Sequence, residues 1–208
     1  MPLRRALHAG SWYTDSGSEL SKQLENWLNQ AELSHGPARA IIALFPFVAC
    51  WISVLWSMWS PRLQTNQSIL VKRIFILGPS HHVRLSGCAL TTTDKYKTPL
   101  YNLHVDTSIN TALEMTGQFE WMDLETDENE HSIEMQLPYI AKVMENYKNR
   151  FTIIPILGMN IIENLNPAEF TKYLKKIWKH YLRAPSDWRT ITGNTRVTED
   201  RLRGKMQV

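Results

Sequence analysis

From Arg73 to Pro79 the chain reads Arg73-Ile74-Phe75-Ile76-Leu77-Gly78-Pro79, an apolar run without polar alternation, shut by a Gly-Pro turn signal. A strand buried on both faces has this pattern, and such strands lie in sheets covered by helices. Ala40-Ile41-Ile42-Ala43, within a predicted strand from Arg39 to Leu44, has the same character, as does Phe151-Thr152-Ile153-Ile154-Pro155-Ile156, and Cys88 to Thr93 is a Thr-rich further strand. Amphipathic patterns alternate with these runs. Ser16 and Glu19 form a capping box, and Leu20, Leu24, Trp27 and Leu28 recur at helical spacing, which predicts a helix from Ser18 to about Ala31. Asp106 caps a short helix closed by Gly117, and Ile133, Leu137, Ile140, Ala141 and Met144 share one helical face despite Pro138. A further capped helix starts at Asn166-Pro167 and carries the stripe from Phe170 to Tyr181. The expectation is an α/β fold, a sheet with helices packed on it.

Charge narrows the function classes. The formal net charge is +3, but residues 182–208 alone hold six Lys/Arg against three Asp/Glu, so the rest nets zero and shows no nucleic-acid footprint. That final stretch has no sustained periodicity and is expected to be a disordered tail. Two cysteines, Cys50 and Cys88, without CxxC spacing, fit a reducing, cytoplasmic setting. The uncharged run Ala40 to Ser60 has the length of a membrane span, yet Pro46, Ser53, Ser57 and the scattered Trp51, Trp56 and Trp59 make it a poor one. A membrane anchor is therefore not expected.

Three clusters could carry chemistry. Gly78-Pro79-Ser80-His81-His82 places two imidazoles in the loop beyond a strand's carboxyl end, where open α/β sheets bind ligands. Asp127-Glu128-Asn129-Glu130-His131-Ser132-Ile133-Glu134 surrounds one histidine with four carboxylates. Much of that acidic run reads as helix capping, with Ser132 as a cap, whereas His131 beside carboxylates suits an acid/base or ligand-supporting role. His8-Ala9-Gly10-Ser11-Trp12-Tyr13 offers Trp12 and Tyr13 either as a pocket wall or as a staple for the helix entry.

Taken in order, HAGSWY (8–13), PARAII (37–42), RIFILGPSHHV (73–83), TPLYNL (98–103), EHSIEMQLPY (130–139) and FTIIPIL (151–157) resemble the Memo family, whose fold is similar to that of class III extradiol dioxygenases. The resemblance implies one incomplete α/β domain over 1–181, a divergent apolar replacement over 44–70 and a non-family tail over 182–208. It also implies a role in cell-motility signalling, a pocket linked to copper or iron with redox, dioxygenase-like chemistry, and recognition of phosphotyrosine-bearing receptor tails or adaptor proteins. Trp12, His81 and His131 carry over from the family pattern, with His82 beside them. The family's Pro-His-Ala-Gly motif after the first strand, its Asp-Phe-Cys-His-Trp-Gly motif and its distal Cys have no match here. On this reading His81 is the metal ligand, His131 gives acid/base or supporting function, and Trp12, Tyr13, His81, His82, Glu130 and His131 form the pocket. With ligands missing, the expectation is low metal occupancy and negligible oxidase activity; the alternatives are a pocket that binds phosphotyrosine peptides without catalysis, or a non-functional truncated isoform.

Overall fold

The computed structural model describes residues 2–29 and 73–158, together with the backbone of 190–192 and 195–197. The predicted strand from Arg39 to Leu44, the apolar run 40–60, the replacement 44–70 and the helix after Asn166 lie outside the described residues. Among the described residues no helix is long and apolar enough to cross a membrane. The chain divides into two compact units, Met1–Asn26 with Ile69–Glu163 and Trp27–Ser68 with Asn164–Val208.

The first unit is an α/β structure built on four strands: β2 (Arg73–Pro79), β3 (Cys88–Thr91), β6 (Phe119–Met122) and β7 (Thr152–Gly158). Their order is β2-β7-β3-β6, with β2 parallel to β7 from Arg73 opposite Thr152, β7 antiparallel to β3, and β3 parallel to β6. Ile153, Ile154, Ile156 and Leu157 of the inner strand β7 are fully buried, as an apolar run without alternation requires. A smaller sheet joins β1 (Leu3–Arg4), β4 (Lys95–Tyr96) and β5 (Leu103–His104), with β1 parallel to β4. A bridge from Val105 to Ile153 ties the chain just after β5 to the main sheet. In the second unit β8 (Thr190–Thr192) pairs antiparallel with β9 (Thr195–Val197).

Helix α1 (Gly17–Asn29) begins one residue before the predicted start, with Leu20 and Leu24 on its buried stripe. Helix α2 (Thr107–Glu114) is capped by Asp106, whose carboxylate accepts the N–H of Ile109, and the turn beyond it is completed by Gly117 at φ 68°. The apolar face from Ile133 to Met144 is split between α4 (His131–Glu134) and α5 (Leu137–Val143), preceded by α3 (Leu124–Asn129). Pro138 forces the break: it lacks an N–H and fits only a helix's first turn, so the chain restarts there while Leu137, Ala141 and Met144 stay buried.

One side chain ties the first strand to the α3–α4 segment. Arg4 is fully buried, with Nε donating to the Asp127 carboxylate and carbonyl, both at 3.0 Å. Its Nη1 donates to Glu134 at 2.8 Å and its Nη2 to the Glu130 carbonyl at 2.9 Å. The guanidinium also stands 5.0 Å from the Tyr96 ring. Asp127 in turn accepts from the Tyr96 hydroxyl, at 2.7 and 2.8 Å, and from Thr91 at 2.5 Å. Burial pushes the Asp127 carboxyl upward, against the pull of Arg4 and these hydroxyls. Replacing Arg4 with Met strands two buried carboxylates, so Arg4→Met is expected to lose about 3–5 kcal/mol in urea unfolding.

Asp106 supplies a second, pH-dependent link. Burial alone would raise its carboxyl, but hydrogen bonds from Ser108, Arg73, Ile109 and Thr152 outweigh it and hold the group below the usual 3.8. A depressed native value stabilises the fold above the unfolded value and is lost as pH falls through the native one. Asp106→Ala should cost about 1–2 kcal/mol at neutral pH. The gap to wild type should narrow as pH drops below 3.8, measured by unfolding at a series of pH values.

Candidate functional site

The histidine loop follows directly from β2. Gly78 sits where β2 meets α4 so closely that a Cβ would lie 2.5 Å from the Ser132 hydroxyl oxygen and 2.8 Å from Ile133 Cγ1. That contact is fastened by hydrogen bonds: the Ser132 hydroxyl donates to the Pro79 carbonyl at 2.8 Å, and the His81 N–H donates to Glu130 Oε2 at 2.7 Å. Glu130 Oε1 accepts the Ser132 N–H at 3.0 Å and caps α4. Ser132, the cap expected from the sequence, instead reaches across to β2, because the carboxylate of Glu130 already fills the capping position. These bonds seat the His81 ring on His131, with centroids 4.7 Å apart and planes 13° from parallel.

The N-terminal segment closes over the other side of His131. Trp12, which is 54% exposed, lies 4.8 Å from the His131 ring, and the His8 ring lies 6.1 Å from it. His82 meets His131 edge-on at 6.0 Å. Buried Glu134 holds this segment down, accepting the His8 N–H at 2.9 Å and the Tyr13 hydroxyl at 3.0 Å, with His8 Nδ1 at 3.0 Å from its other oxygen. Trp12 thus packs on a site histidine, while Tyr13 is a support whose hydroxyl is pushed up by burial and by Glu134.

The acidic run is only in part the helix cap the sequence suggested. Asp123 caps α3, accepting the Thr126 N–H at 2.7 Å, whereas Asp127, Glu128, Glu130 and Glu134 are all buried. Glu128 pairs with the exposed Arg5 at 2.7 Å, and the others serve Arg4, His81 and His8. Arg4 is the structural partner that sequence reading passed over, whereas His8 and Glu134 fall inside the clusters it singled out without a role of their own. Arg4 and His8 are separated from Glu134 by 130 and 126 residues, so no local spacing pairs them.

The electrostatics favour a neutral imidazole at the centre. His131 is held below the usual 6.5 by burial and by the neighbouring His81, His8 and His82, against the pull of Glu130. Burial would raise the Glu130 carboxyl, yet the N–H groups of His81 and Ser132 bring it below its ordinary value. One donor atom each from His81, Glu130 and His131 lies within 4.8 Å of the others, a spacing at which these groups could hold a metal ion. A neighbouring cleft of about 490 Å³ has His8, His82, Asp123 and Glu125 as its ionisable lining. Cys88, at the start of β3, carries a free thiol that burial pushes up to about 11 and lies outside this donor group.

Comparison with known proteins gives concordant matches. A family model described as Memo-like protein matches residues 4–190. Protein MEMO1 of Homo sapiens is 50% identical over 184 residues, covering 88% of this chain and 59% of the relative. Protein MEMO1 of Danio rerio is 49% identical over 188 residues, covering 90% and 60%. Protein memo-1 homolog of Caenorhabditis elegans is 41% identical over 192 residues, covering 92% and 51%. The chain spans about three fifths of the length of the vertebrate relatives it matches.

The contact at Gly78 is the sharpest test of how the histidines are held. Gly78→Ala drives a Cβ into Ser132 and Ile133, so it should cost about 1–3 kcal/mol. It should also shift the His131 ring resonances in NMR spectra; an unchanged His131 signal with an unchanged melting temperature would show that α4 does not rest on this glycine.

Proposed function

The chain belongs to the Memo-like protein family, and on that footing we propose that it serves cell-motility signalling through a metal-linked redox centre whose donors here are His81, Glu130 and His131. The observation that supports this reading most is the convergence of those donors, from the loop after β2 and from the start of α4, within 4.8 Å of one another. Two imidazoles and one carboxylate make a set suited to iron(II), and less suited to copper(I), which favours thiolate. Bound iron would supply one-electron chemistry and open coordination positions. Glu130 is ionised and fixed by its two N–H donors, and His131 is kept neutral by burial, so each presents the protonation state a ligand needs.

The same geometry argues for weak binding. The nearly parallel stack of His81 on His131 puts their in-plane lone pairs in two nearly parallel planes, so the exposed His81 ring must turn before both aim at one centre. The further histidine that the family resemblance implies just after the first strand has no counterpart there, where Leu44-Phe45-Pro46 stand. Recognition of a phosphotyrosine peptide through His81 and His82 draws less support, because Asp123 and Glu125 line the adjoining cleft and oppose a dianion.

Elemental analysis and anaerobic iron(II) titration of the full chain test the proposal. Substoichiometric metal after purification is expected, with affinity falling at least about tenfold in His81→Ala, whose exposed side chain leaves the fold intact. One-to-one metal that depends on His81 would keep the centre and overturn its weakness. Binding indifferent to His81→Ala, or no binding, would overturn the centre itself.

A further inference from the structure

We propose that the outer edge of β6 is a docking site for an extended, basic segment of another protein, which adds to the sheet as a further strand. β6 ends the order β2-β7-β3-β6, with β3 on one side and no strand on the other among the described residues. Beyond the ladder to β3, the backbone of Phe119, Glu120 and Trp121 makes no hydrogen bond among the described residues. Such an edge is a template for pairing, and sheets ordinarily blunt it with lysine, proline or a bulge. Phe119-Glu120-Trp121-Met122 contains neither lysine nor proline. It presents instead Trp121, 43% exposed, and the turn leading into it presents Met115, 80% exposed.

Charge selects the occupant. Between Lys97 and Lys142 the chain has nine carboxylates and no lysine or arginine. Four of the nine pair with arginines from elsewhere: Asp106 with Arg73, Asp127 and Glu134 with Arg4, and Glu128 with Arg5. Glu130 is held by two N–H groups. Glu114, Glu120, Asp123 and Glu125 meet no lysine or arginine among the described residues, and the last three are exposed. A basic segment laid along β6 therefore meets opposite charge at Glu120 and Asp123, while the ring of Trp121 between them suits the stem and charge of a lysine or arginine. A second copy of this chain is the poorer occupant, because β6 against β6 sets two acidic stretches side by side. Main-chain pairing supplies affinity in strand addition, and the side chains along the edge supply the choice of partner.

The test uses the full chain and a fluorescent peptide of alternating lysine and threonine, followed by anisotropy. Wild type should bind it, and the counterpart with glutamate for lysine should not bind. The same basic peptide methylated on alternate backbone nitrogens keeps its charge but loses strand pairing, so it should bind at least about tenfold more weakly. Glu120→Lys and Trp121→Ser alter exposed side chains, so both should melt with wild type while each weakens binding about tenfold or more. Equal affinity for the methylated peptide would overturn strand addition and leave charge alone. No binding by wild type, or unchanged affinity in both variants, would overturn the site. A wild-type dimer in sedimentation that Glu120→Lys disperses would overturn the basic partner in favour of a second copy.

Discussion

Arg4 is buried completely beneath the sheet system, and its guanidinium meets Asp127, Glu134 and the backbone carbonyl of Glu130. Removing such a charge from water costs several kcal/mol, and the carboxylates it meets would be equally costly alone. Each group is tolerable only because the others are present. A lysine could not replace this arginine, since the planar fork addresses several acceptors at once while an ammonium is a point charge. The pair network is weak as a source of net stability, but it fixes register: β1 can dock beside β4 in only the position that delivers Arg4 to these partners.

The rest of the site inherits that placement. Glu134 takes Arg4 on one oxygen and, through the same carboxylate, clamps His8 and Tyr13. The segment carrying Trp12 is thereby drawn over His131 from one side. From the other, Glu130 and Ser132 hold the loop after β2, so His81 stacks where β2 ends. His131 stands at the meeting point of two segments that share no local sequence. Its neighbours are mostly imidazoles, which accounts for both its reluctance to take a proton and its suitability as one donor among several.

A centre assembled in this way separates donor identity from donor convergence. Residue types from one loop and one helix turn provide the candidate donors, while their aim depends on a glycine contact, a capping carboxylate and a buried arginine. The adjoining cleft carries Asp123 and Glu125 beside His8 and His82, so its lining holds both carboxylates and imidazoles.

Much of the first unit was readable in the sequence. Uninterrupted apolar runs require strands with two buried faces, so β2 and β7 were evident, and Asp106 and Gly117 marked the ends of α2 by rules acting within a few residues. His81, His82 and His131 stood out because imidazoles in a loop after a strand, or among carboxylates, are chemically conspicuous. The role of the acidic run was not readable: capping and burial call for the same residues, and only the arrival of Arg4 from more than a hundred positions away decides that Asp127 and Glu134 face inward. For the same reason His8 looked unremarkable and Ser132 looked like a cap. Local sequence determines which backbone shape each segment prefers and which side chains could react; the tertiary structure alone decided which of them meet, because desolvated charges tolerate only the partners that long-range packing brings to them.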